Sequence, residues 1–256
     1  TTLYLFIVFC GVFLYCLSCN HQLFAYDAWA YWALGDTFWN DGFSFYNYPI
    51  SIRGYLLPFI LGLSSQLGSA LIGNAYYVYW IIYSGMADCL TMVFIPKLIG
   101  AELWTKRYFV CGCVPLLLFL YFWKDLLICP LSDLPALFLY VATILILKRL
   151  AFRQEVRTVE SLYSGFIAGL LTYAAYNVRT VYLFPLALLW ILFIIYYLHK
   201  KKKVLLYVLG AALIGGLVVA VPQIIVNYNH YKLISPLLQL AENQQQCVHT
   251  DENKLV

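Results

Sequence analysis

Long apolar runs separated by short polar connectors leave this chain little choice of fold. The stretches reach about 17 to 25 residues, the length at which a helix crosses the hydrocarbon layer of a bilayer. They fall at Leu3 to Ser18, Tyr76 to Ile95, Tyr108 to Trp123, Leu134 to Leu147, Leu162 to Tyr176, Val181 to Leu198 and Val204 to Val226. With 63% hydrophobic and 11% charged residues, there is more apolar surface than one water-soluble core can bury, so lipid must cover the remainder. The expected fold is an all-α integral membrane protein of about seven transmembrane helices.

Charge orders these spans. The connectors holding Lys97, Lys106 and Arg107, then Lys148, Arg149, Arg153 and Arg157, then Lys200 to Lys203, carry eleven of the sixteen basic residues. The positive-inside rule puts all three on the cytoplasmic side and makes the N-terminus cytoplasmic. They agree only if Leu56 to Leu67 stays outside as a surface or re-entrant helix, inside a first outer loop covering 19–75. A second outer loop then runs from Lys124 to Asp133, a tight third turn from Asn177 to Thr180, and a polar tail over 227–256. Eight of the twelve acids lie on this outer face: Asp27, Asp36, Asp41, Asp125, Asp133, Glu242, Asp251 and Glu252. The chain opens at Thr1 without Met or a basic leader, so Leu3 to Ser18 reads as a first span and not as a cleaved signal peptide. The polar tail reads as the start of a further C-terminal region.

The net charge of +4 lies in these connectors and forms no continuous patch, which argues against nucleic acid as a partner. Eight cysteines are scattered, mostly within apolar runs, without metal-ligand or redox spacing. His21, His199, His230 and His249 are equally dispersed.

The outer face offers the candidate chemistry. Tyr26 to Asp36 follows the first span with helical character and an aromatic face, and Asp27 and Tyr31, four apart, share one side of it. A carboxylate at a membrane surface beside aromatic rings suits a general base. Asp133 opens the fourth span, where an acid also serves as a cap. Arg179, between two apolar runs, needs an anionic partner: a phosphate fits its planar fork, and so does a carboxylate such as Asp133. Arg53 and Lys124 add two further outer cations. Asp88 sits inside the second span, where an acid is either a proton or ion site or a hydrogen-bond partner of a neighbouring helix.

Taken together, these features resemble the GT-C superfamily of membrane glycosyltransferases, in particular the branch of protein O-mannosyltransferases and lipid A aminoarabinose transferases. The likeness rests on the acidic, aromatic loop from Tyr26-Asp27 through Gly42, the stretch Gly54 to Pro58, and the surface helix ending Leu67-Gly68. A basic cytoplasmic turn, Ser132-Asp133-Leu134-Pro135, and Asn177-Val178-Arg179 leading to Pro185 complete it. It covers nearly the whole chain as a seven-span module over 1–226. Asp125 and Asp133 stand eight apart, so the two-acid motif with one intervening residue found in some oligosaccharyl members is missing.

The resemblance implies transfer of a sugar from a polyprenyl-phosphate donor to a protein, lipid or glycan hydroxyl at the outer face, with inversion. Asp27 would be the base and Asp133 a second acid, while Arg179 with Arg53 or Lys124 would hold the donor phosphate and Tyr31 would line the same site. No cofactor is implied firmly; a divalent cation on Asp27 and Asp133 is the open alternative. The short polar loops favour a bacterial cytoplasmic membrane. Two other classes stay open: a transporter or flippase using Asp88 and Asp133, which should show broken helices or inverted repeats, and a non-catalytic subunit of a glycan-assembly complex.

Overall fold

A computed structural model describes residues 2–19, 27–49, 53–101, 105–153, 157–200 and 202–238. The expectations for His21, Tyr26, Lys201, Glu242, His249, Asp251 and Glu252 lie outside the described residues. Among the described residues the chain is helical without strands, as a backbone that must satisfy its own polar groups in lipid requires. Its helices are α1 (Thr2–Ser18), α2 (Ala28–Asn40), α3 (Leu56–Ile72), α4 (Ala75–Leu98) and α5 (Lys106–Phe122). There follow the short α6 (Asp125–Ile128), then α7 (Asp133–Phe152), α8 (Thr158–Val178), α9 (Leu183–Lys200) and α10 (Lys202–Tyr231).

Among the described residues, four segments are long and apolar enough to cross a membrane: Ala75–Leu98, Asp133–Phe152, Thr180–Leu198 and Val204–Tyr231. The expected first span and the outer Leu56 to Leu67 stretch form shorter apolar helices, Leu3–Ser18 and Leu56–Ile72. The expected spans at Tyr108 to Trp123 and Leu162 to Tyr176 lie within α5, of 17 residues, and α8, of 21 residues. Outward-facing Phe184, Leu188 and Ile191 on α9, and Leu206, Leu213 and Leu217 on α10, are all more than half exposed, an apolar exterior suited to lipid.

The principal core joins α1, α2, α3, α4, α5 and α7 around Trp80, Tyr79, Tyr83, Leu57, Leu61 and Leu134. Against it α8 and α10 run nearly in backbone contact. A Cβ at Gly169 would lie 1.9 Å from the Ala212 carbonyl oxygen, so only glycine lets the two helices approach this closely.

The bundle has two chemically distinct ends. At one, Lys148 Nζ donates to the carbonyls of Leu98 (2.6 Å) and Lys97 (3.2 Å), giving the last turn of α4 the cation its dipole favours. Arg153 and Arg149 pair there with Glu160, and Tyr197 and Tyr196 donate to the carbonyls of Leu150 and Ala151. The basic connectors around Lys97, Lys148 to Arg157 and Lys200 thus gather at a single end. At the other, Tyr79 and Tyr83 on α4 donate to the carbonyls of Leu127 and Leu131, each at 2.9 Å. They pin the loop that carries α6 beneath α2, where Ala28 packs on Cys129 and Leu131.

Candidate functional site

Asp27 stands at the N-cap of α2, where its side chain makes no capping bond. Its carboxylate is turned to Arg53, with Oδ1 3.0 Å from Nη2. The Arg53 guanidinium also lies over the Tyr31 ring, 5.0 Å from its centroid, in cation–π contact. The four-residue spacing of Asp27 and Tyr31 therefore does what it does on any helix, presenting both to one partner.

Local backbone geometry holds Arg53 there. Its neighbour Gly54 is pressed on the turn at the end of α8: a Cβ would meet the Asn177 carbonyl oxygen at 2.0 Å. Asn177 Oδ1 accepts from the Leu56 amide (2.9 Å), and its Nδ2 donates to Gln223 Oε1 (3.1 Å). Gln223 in turn donates to Asn227 and Asn227 to the Ser235 carbonyl, so buried amides run from the loop before α3 across to α10. On the other side of Arg53, the buried Tyr48 donates to the Gly54 carbonyl (3.4 Å), and its own carbonyl accepts from His230 (2.5 Å). Burial first, and then the Tyr31 oxygen, push the Tyr48 phenol up, while Arg53 pulls it back.

Tyr31 leads to the second half of the cluster. Its hydroxyl donates to Ser132 Oγ (3.2 Å), and the same oxygen accepts from Arg179 Nη1 (3.1 Å). Arg179 Nη1 also donates to Asp133 Oδ2 at 2.7 Å. Ser132, 1% exposed, is the N-cap of α7, and Asp133 is the first residue of that helix. Arg179 reaches them because the chain turns extended after α8, at φ −152°, before the 3-10 turn Thr180–Tyr182. Of the two partners open to Arg179 from sequence, the carboxylate of Asp133 is the one it holds.

One network thus joins Asp27, Arg53, Tyr31, Ser132, Arg179 and Asp133, drawn from four separate stretches of chain. Five of the six were singled out from sequence; Ser132 was not, and neither were Tyr48, Asn177 or Gln223. Lys124 stands apart as the exposed N-cap residue of α6, and its side chain enters none of these contacts. Asp41 ends α2, exposed. Asp36 is half-buried on α2, accepts from Ser65 and Trp32, and has its carboxyl pushed above the usual range by burial, against those two bonds. Asp88 lies within α4 and belongs to a different region.

Chemically, the network is two guanidinium groups, each resting on a carboxylate, linked through a phenol and a serine hydroxyl. Guanidinium groups so placed are of the kind that can exchange a carboxylate for another anion. A divalent cation fits poorly, because Asp27 and Asp133 each face an arginine. No group of three or more His, Cys, Asp or Glu side chains is placed to hold a metal among the described residues.

No protein-family model matches the chain, and neither does any curated protein or solved structure.

Proposed function

We propose that this chain is the membrane module of a glycosyltransferase that moves a sugar from a polyprenyl-phosphate donor to a hydroxyl of a protein, lipid or glycan. The single observation supporting it is the Asp27–Arg53–Tyr31–Ser132–Arg179–Asp133 network at the bundle end opposite the basic connectors. In this reading the bundle has seven spans with the basic end cytoplasmic, and the network faces the outer side. The isoprenoid tail stays in lipid while its phosphate meets the aqueous edge.

The donor phosphate takes Arg179 from Asp133 and draws on Arg53. Asp27, with a side chain 68% exposed, accepts the proton of the acceptor hydroxyl. That oxygen forms the new bond to the anomeric carbon from the side opposite the phosphate, and the sugar–phosphate bond breaks. Its electron pair leaves on the polyprenyl phosphate, whose growing charge the guanidinium groups stabilise. Tyr31 and Ser132 hold the two arginines in register. The configuration inverts, and Asp27 returns its proton to water.

The test is transfer of labelled sugar from a polyprenyl-phosphate donor by the full-length protein in lipid. Asp27→Asn abolishes transfer and Arg179→Ala raises the donor KM. Unchanged transfer in Asp27→Asn sinks the catalytic assignment, and an unchanged donor KM in Arg179→Ala removes the phosphate role.

A further inference from the structure

Asp88 is a buried acid that the transfer reaction does not use, and its surroundings are unusual. It is 8% exposed, and its Oδ1 is buried without a hydrogen-bond partner. It is the last α-helical residue before a π turn, Cys89–Phe94, inside α4. Such turns add one residue to the helix and concentrate at functional positions.

The π turn runs straight into the turn that holds Pro96. Pro96 has no amide proton to give the carbonyl of Met92, four residues back, and the Tyr108 hydroxyl supplies one from α5 at 2.6 Å. That commits the Tyr108 proton elsewhere. Nearby, Tyr4 of α1 shares a hydrogen bond with Cys113 Sγ (3.1 Å) in which either atom can donate, and Thr91 donates to the Ala87 carbonyl (2.8 Å). The titratable groups that face the carboxyl from neighbouring elements are Tyr4 and Tyr108, with Cys89 on its own helix. Lys97 lies nine residues further along α4, in the turn whose carbonyls Lys148 caps.

An ionised carboxylate in this position has, among the described residues, neither a counter-ion nor a donor for Oδ1, a combination that apolar surroundings disfavour strongly. A metal ion needs several strong ligands, and no group of three or more His, Cys, Asp or Glu side chains gathers among the described residues. A proton needs one. We propose that Asp88 is a proton-binding site within the membrane-embedded bundle, taking up a proton between α1, α4 and α5. The site is independent of the transfer reaction, and it settles on proton binding the alternatives open to Asp88 from sequence.

The experiment treats the wild-type protein in lipid vesicles with dicyclohexylcarbodiimide, which attacks protonated carboxyls in apolar settings, and maps adducts by peptide mass spectrometry. The expected result is an adduct on Asp88, absent from Asp27 and Asp133, whose yield falls at least about fivefold between about pH 6 and about pH 9. An infrared spectrum at about pH 5 should show a protonated-carboxyl carbonyl band that disappears in Asp88→Asn and shifts in Asp88→Glu. No adduct on Asp88 across that range, a yield indifferent to pH, or a band unchanged by both substitutions overturns the proposal.

Discussion

Tyr31 and Arg179 donate to one and the same oxygen, Ser132 Oγ, at 3.2 Å and 3.1 Å. Because Tyr31 also lies beneath Arg53, the two ion pairs of the site are mechanically linked through a single buried hydroxyl. A displacement at one arginine is felt at the other. Ser132→Ala leaves the phenol of Tyr31 without its acceptor, which costs about 1–3 kcal/mol of stability. It should also slow sugar transfer about tenfold or more by loosening both guanidinium groups. Ser132→Thr keeps the hydroxyl and should recover most of the loss, as unfolding and transfer assays on the three proteins would show.

Gly54 is the second point where the site depends on close geometry. A methyl at this position would sit 2.0 Å from the Asn177 carbonyl oxygen, and neither backbone has a flexible end to move aside. Gly54→Ala should therefore destabilise the protein by about 1–3 kcal/mol or more and displace the neighbouring Arg53. A melting temperature equal to wild type would show that the approach is looser than it looks.

Much of the site was legible in sequence because its chemistry follows short-range rules. The four-residue step from Asp27 to Tyr31 needs only a helix, and Arg179 between apolar runs needs an anion wherever it lands. Ser132 was hidden by its ordinariness, since a serine before a helix is expected as a cap. Asn177 was visible only as part of a turn: its role is to receive Leu56 and Gly54, which arrive from the far side of the bundle. The bond from Tyr108 of α5 to the Met92 carbonyl beside Pro96 joins two helices, a pairing that no periodicity reports. Lys124 stands apart from the network because a place in the same loop as Asp133 does not specify which way a side chain points. The gathering of the basic connectors was legible because charge bias acts on whole loops and tolerates errors of several residues in each boundary.

Tyr108→Phe tests that pairing. It removes the hydroxyl that the Met92 carbonyl receives from α5 beside Pro96, a loss worth about 1–3 kcal/mol. Pro96→Ala restores a backbone donor, so the double variant should be less destabilised than the sum of the two single ones, as a double-mutant cycle would measure.

Asp36 sets a pH dependence whose sign is fixed by burial. Its carboxyl is raised, so the folded chain binds this proton more tightly than the unfolded chain does. The resulting stabilisation is complete below the unfolded value and disappears as pH rises through the folded one. Asp36→Asn has no charge to bury and keeps an oxygen for Ser65. The variant should gain on wild type as pH rises toward neutrality, and the two should converge in acid. Thermal unfolding of both across the acidic range checks this, and a variant that loses ground with rising pH would contradict it.

The Asp27–Arg53 pair separates stability from function most cleanly. Its side chains are 68% and 22% exposed, and an ion pair so open to water contributes only about 0–1 kcal/mol to folding. Asp27→Asn and Arg53→Gln should each melt close to wild type, with a small coupling in the double variant that shrinks further in salt. Transfer should behave in the opposite way. Asp27→Asn removes the base and should lower kcat by about a hundredfold or more with the donor KM little changed, whereas Arg53→Gln should act mainly on the donor KM. If the pair were a structural tie, both variants would lose stability and activity in proportion. Folded, inactive Asp27→Asn beside folded, weak-binding Arg53→Gln is the pattern that a base and a phosphate ligand produce, and an arrangement of surface charges does not.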